Sequence, residues 1–128
     1  MRSKLEPGER PLFWVASSKK DLLARPEAAV RAIGIALGVA QYGGKHPSAK
    51  PSWKGEGPGV LEVVEDFDGD TFRATYTVRF TKAVYVLHCF QKNSTTGIKT
   101  AKSDIELVGR RLKAARREYE ERYGKASK

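Results

Sequence analysis

From Thr71 to Phe80 the chain alternates. Phe72, Ala74, Tyr76, Val78 and Phe80 fall on one side, and Thr71, Arg73, Thr75, Thr77 and Arg79 on the other. A period of two is that of a half-buried strand. Thr81-Lys82 interrupts the run, and Ala83 to Phe90 reads as a second strand, so the two are expected as an antiparallel hairpin. Upstream, Val60 to Val64 reads as a strand, joined to this pair through the acidic turn Glu65 to Asp70 with Asp68-Gly69 as its hairpin signal. Pro11 to Ala16, PLFWVA, suits a first strand.

Helical spacing appears in three places. Ser17-Ser18 before Asp21 opens a short helix, which ends near Arg25-Pro26 because the residue before proline avoids helical geometry. Pro26 then serves as the first residue of a longer helix, with Val30, Ile33 and Leu37 on one face and Gly43-Gly44 as its stop. Gly34 and Gly38, four apart, are expected to bring this helix close to the sheet. Ser103-Asp104-Ile105-Glu106 has the pattern of a capping box, and Ile105, Val108, Leu112, Ala115 and Tyr119 follow as one apolar stripe. The order is strand, helix, helix, three strands, helix. This predicts an α+β fold: a small antiparallel-rich sheet of about four strands, helices packed on one face and the other face open and cationic. Residues 1–128 are expected as a single domain, with 1–10 and 124–128 flexible.

Composition adds a partner class. The 128 residues carry 24 Lys and Arg against 15 Asp and Glu, a net charge of +9. Such an excess favours nucleic acid, an acidic protein or an anionic surface. No stretch is apolar enough to span a bilayer, and the polar start MRSKLEPGERP lacks the core of a signal peptide, so a cytoplasmic protein is expected. Cys89, the single cysteine, reads as an apolar filler of its strand. The aspartates of Glu65 to Asp70 lack the spacing of a calcium loop; no metal and no cofactor are expected. Residues 45–59, KHPSAKPSWKGEGPG, read as a loop in which Lys45, Lys50 and Lys54 surround Trp53. Cations interleaved with an aromatic can hold phosphates and stack on bases.

Beyond these patterns, AVYVLHCFQKNSTTGIKTAKSDIELVGRRL resembles the signature region of HigB-like toxins, a phage-related branch of the RelE/ParE toxin superfamily. WKGEGPGVLEV, TFRATYTVRF and FWVASSKKDLLARP fit the same branch, so the likeness runs over roughly residues 10–117. The resemblance implies a RelE/ParE-like fold and the toxin of a type II toxin–antitoxin system. It implies cleavage of mRNA, commonly on the ribosome, and a cognate helix-turn-helix antitoxin as partner. The chain departs from the pattern at Asn93, at Thr100-Ala101 and on the strand carrying Glu62 and Glu65, where the best-known relatives have lysines.

RNA cleavage without a metal needs a base for the 2′-OH, a stabiliser of the added negative charge and an acid for the leaving oxygen. Arg73 aligns with the family's strand arginine, and arginine can hold phosphate through two parallel hydrogen bonds. Lys92 fits the family lysine and is assigned to phosphate binding or transition-state stabilisation. Histidine is the side-chain type suited to proton transfer near neutral pH, so His88 could be the base or the acid, although a buried structural histidine fits the pattern equally well. These three form the expected catalytic set, with Trp53, Lys54, Arg79 and Lys99 as RNA contacts. The function expected is a metal-independent mRNA endonuclease neutralised by its antitoxin. The alternatives are a non-nucleolytic toxin of the same fold acting on DNA gyrase, and a basic nucleic-acid-binding phage accessory protein.

Overall fold

The computed structural model describes residues 5–51, 59–93 and 102–125, the side chains of Lys92 and Asn93 excepted. The elements are β1 (Leu12–Trp14), α1 (Ser18–Leu23), α2 (Glu27–Gln41), β2 (Ala49–Pro51), β3 (Val60–Phe67), β4 (Asp70–Thr77), β5 (Val84–Asn93) and α3 (Lys102–Tyr123). They build one five-stranded sheet in the order β1-β5-β4-β3-β2. The meander β2 to β5 is antiparallel, and β1 joins β5 in parallel.

The β3–β4 turn forms as its residues dictate. Asp68 and Gly69 both have positive φ, 53° and 87°, the geometry of a two-residue turn that matches strand twist. Gly59 has φ +88°, and a Cβ there would stand 3.2 Å from the Arg79 backbone. A glycine is therefore required where β3 begins against the end of β4. Thr77 Oγ1 donates to the Gly59 carbonyl at 2.7 Å and closes the same corner.

Two cores flank the sheet. On one face α1 and α2 pack Leu22, Ala29, Ile33, Ala36 and Leu37 against Val63, Phe72, Ala74, Tyr76, Val84, Val86 and Cys89. On the other, α3 packs Val108, Leu112, Ala115 and Tyr119 against Val60, Phe80, Tyr85 and Leu87. Aromatic pairing reinforces the second core. Phe80 stacks on Tyr119 with centroids 4.9 Å apart and meets Tyr85 edge-on at 5.8 Å, each pair adding about 0.5–1.5 kcal/mol beyond burial. The Tyr119 hydroxyl accepts from the Lys82 amide at 3.1 Å, which ties the β4–β5 hairpin to α3.

The α+β class and the meander are as expected from sequence, with five strands instead of four. The added strand is β2, inside the segment read as loop. The expectation that the helices share one face, leaving the other open and cationic, does not hold: α3 covers the second face. Helical period identifies a stripe but not the side of the sheet that receives it. Phe80 also leaves its expected partners, because β4 ends at Thr77 and the chain turns Phe80 toward α3. Gly34 and Gly38 do not mediate close packing; a Cβ at either would meet nothing within 4 Å. The alanines Ala29, Ala36 and Ala40 line the buried face of α2 instead. Glu9 and Arg10, in the segment expected as a flexible arm, are held by Gln41: the Arg10 amide donates to its carbonyl at 2.8 Å, and its side chain donates to the Arg10 carbonyl at 2.8 Å.

Candidate active site

The register of three strands sets a polar row beneath the start of α3. Glu62 of β3 pairs with Thr75 of β4, and Thr75 pairs with His88 of β5. One step along, Arg73 lies between Val64 and Phe90. These positions share the face toward α3, since Phe72 and Ala74 belong to the opposite core.

A β-bulge puts His88 there. Thr75 pairs with His88 but Tyr76 pairs with Val86, so Leu87 is an extra residue in β5. Leu87 packs in the α3 core, and His88 also reaches α3, its Nε2 lying 2.7 Å from Asp104 Oδ1. Cys89 returns to the α2 core. A bulge leaves its extra residue off the ladder; the Leu87 carbonyl accepts from Arg111 Nη1 at 2.9 Å. Simple alternation, which would group His88 with Val84 and Val86, therefore fails at this point.

The row is buried and partly unsatisfied. Arg73 Nη1 donates to Glu62 Oε1 at 3.0 Å, with the two side chains only 13% and 6% exposed. Arg73 Nε, Thr75 Oγ1 and His88 Nδ1 are buried without a hydrogen-bond partner among the described residues. Buried polar atoms are ordinarily satisfied, so three neighbours left open call for a ligand or water. The His88 ring stacks on Phe90 with centroids 4.5 Å apart, and Asp104 fixes its other edge. An imidazole so held has one nitrogen committed and one open.

Glu62, Thr75 and Asp104 were missed by sequence reasoning. The signal for Glu62 was present: a single carboxylate inside the apolar run Val60 to Val64 must find a cation if the strand is buried on both faces. Asp104 reads as part of a capping box, yet α3 already includes Lys102, and its carboxylate goes to His88. Of the expected site residues, Arg73 and His88 come together. Lys92 pairs with Thr71, two register positions from Arg73 and Phe90, but its side chain lies outside the description. Trp53, Lys54 and Lys99 lie outside the described residues. Arg79 stands apart: beyond the end of β4, it lines a groove with α3 residues Glu106, Arg110, Lys113 and Arg116. His46, within the segment read as a loop, hydrogen-bonds Ser48 at 2.8 Å, and Ser48 donates to Glu65 at 2.9 Å.

The fold and this row define a small, strongly basic α+β protein with an arginine, a carboxylate and an imidazole gathered on one sheet face. Residues 20–113 match the phage-derived Gp49-like family (DUF891), and the chain belongs to it. The matched span contains every member of the row, from Glu62 to Asp104. Among curated proteins none matches the sequence. Among solved structures, the chain is similar to a chain of the toxin–antitoxin complex RelBE2 from Mycobacterium tuberculosis, at 12% identity and a TM-score of 0.45, covering 66% of this chain and 99% of that one. No helix among the described residues is long and apolar enough to cross a membrane.

Proposed function

We propose that the chain is the toxin of a type II toxin–antitoxin pair, of the HigB-like branch it resembles in sequence. In this reading it cleaves mRNA in the cytoplasm, on the ribosome, without a metal, and a helix-turn-helix antitoxin neutralises it. The observation that carries the reading is the buried row: Arg73 on Glu62, with Thr75 and the open His88 nitrogen beside them.

The roles follow from chemistry. Glu62 and His88 flank Thr75 from neighbouring strands, so their backbones stand about 10 Å apart, room for a phosphodiester between a base and an acid. Arg73 supplies positive charge to the developing phosphorane. Glu62 takes the 2′-OH proton, and His88, oriented by Asp104, protonates the leaving 5′-oxygen. Lys92, at the end of the same ladder, is assigned to phosphate binding. Entry of the phosphate releases the Arg73–Glu62 contact, freeing the cation for substrate and the carboxylate for the proton.

Arg73→Ala is a poor test, since stranding a buried Glu62 costs about 3–5 kcal/mol. Arg73→Lys keeps the charge and loses the planar fork. It is expected to fold and to lower RNA cleavage about 10²–10³-fold, the scale of one lost charge stabiliser. Glu62→Gln is expected to lower cleavage about 10²–10⁴-fold with RNA binding retained. Primer extension on transcripts after induction reads the outcome. Discrete new 5′ ends that vanish in both variants support the assignment; DNA damage without new ends transfers the chain to the gyrase-directed class.

A further inference from the structure

The cations of α3 are not treated alike. Arg122 is matched by Glu118, its Nε donating at 2.9 Å. Arg111 is spent on the Leu87 carbonyl and on Ser17 Oγ, at 2.9 and 3.2 Å. Arg110, Lys113 and Arg116 form no ion pair with a described residue. With Arg79 they line a groove of about 570 Å³ between α3 and the end of β4, where the lining holds one carboxylate, Glu106. Arg116 is held in place over the Phe80 ring, 5.5 Å from its centroid.

We infer that this groove is a second binding site, for the sugar–phosphate backbone of single-stranded nucleic acid. Arg110, Lys113 and Arg116 recur every third residue and so span about 9 Å of helix. That length suits neighbouring phosphates of one strand. A protein partner would ask for an aromatic or aliphatic anchor in a desolvated pocket; besides Gly109 and charged side chains the lining offers only Leu112, already buried against the sheet. The site rests on the nuclease reading for the identity of its polyanion and extends it: the groove sets how much RNA beyond the cleaved bond is held.

The test uses the full chain and a labelled 2′-O-methyl RNA of about 12 nucleotides, within the usual single-strand site sizes. This probe cannot be cut by 2′-OH attack, so binding is read independently of catalysis. The double variant Arg110→Gln/Lys113→Gln is expected to flatten the slope of log affinity against log salt by about 1.4, at roughly 0.7 per lost phosphate contact. Lys19→Gln/Lys20→Gln on exposed α1 makes the same change in net charge and is expected to leave the slope as it was. Equal flattening by both pairs, or by neither, overturns the site. Loss of poly-glutamate binding with RNA binding unchanged gives the groove to an acidic protein and overturns it too. Cleavage of unmodified RNA separates this proposal from the nuclease reading. A flattened slope in a chain that never cleaves keeps the groove and removes the nuclease; Arg73-dependent cleavage with an unaltered slope does the reverse.

Discussion

A carboxylate, an arginine and a histidine change meaning once their partners are known. In sequence, Arg73 sits among threonines on what reads as a solvent-facing side of a strand. In the structure its guanidinium is nearly enclosed and bonded to Glu62. Nothing local to residue 73 reveals this, because the enclosure comes from elements distant in the chain. Cys89 is the opposite case. Its placement among valines and leucines marks it as core, and it is buried in the α2-side cluster. Burial, with a smaller contribution from Asp21, pushes its thiol up to about 12. The thiolate is the reactive form, so Cys89 is expected to resist an aromatic disulfide reagent at pH 8 until denaturant unfolds the chain. Rapid labelling of the native protein would contradict the burial.

At the scale of elements, type was legible and placement was not. The apolar stripes of α2 and α3 and the alternation of β4 follow from period alone. β2 escaped because AKP is three residues long and ends in a proline, too short a run for alternation to register. In α2 the large aliphatics drew attention, while Ala29, Ala36 and Ala40 are buried alongside them. Gly34 and Gly38 are left on the outer side with open space where a Cβ would go. Glycine inside a helix is less favourable than alanine by about 0.8–1 kcal/mol. Gly34→Ala and Gly38→Ala are each expected to stabilise the protein by about that amount, read as a raised urea midpoint at unchanged slope. A fall in midpoint would mean that this face packs against something.

For the whole molecule, the decisive fact is that helices cover both sides of the sheet. α3 is fastened by Phe80, Tyr85 and Tyr119 and by a polar clasp in which the Tyr85 hydroxyl and Arg122 both donate to Glu118. Burial works against the Glu118 charge, but the hydrogen bonds from Arg122 and Tyr85 outweigh it and hold the carboxyl below its usual value. A carboxylate depressed on folding stabilises fully above its unfolded value, about 4.3, and that contribution is lost as pH falls through the folded value. Unfolding midpoints between pH 7 and pH 3 are expected to fall less steeply for Glu118→Gln than for the parent chain. Parallel curves would show that the clasp does not fasten α3.

The bulge at Leu87 carries a consequence for how β5 can vary. Up to Leu87 the odd-numbered residues face α3; from His88 onward the even-numbered ones do. One strand thus runs in two frames, the first in step with the α3 core and the second with the row around Arg73. A chain lacking Leu87 would restore one frame throughout, with the imidazole still toward α3 and only the leucine lost from that core. A strand of full length with the bulge smoothed out would instead turn the imidazole toward α2 and bring the thiol to the Asp104 side. Leu87 is therefore a residue whose displacement from the ladder, more than its type, keeps the imidazole beside the arginine.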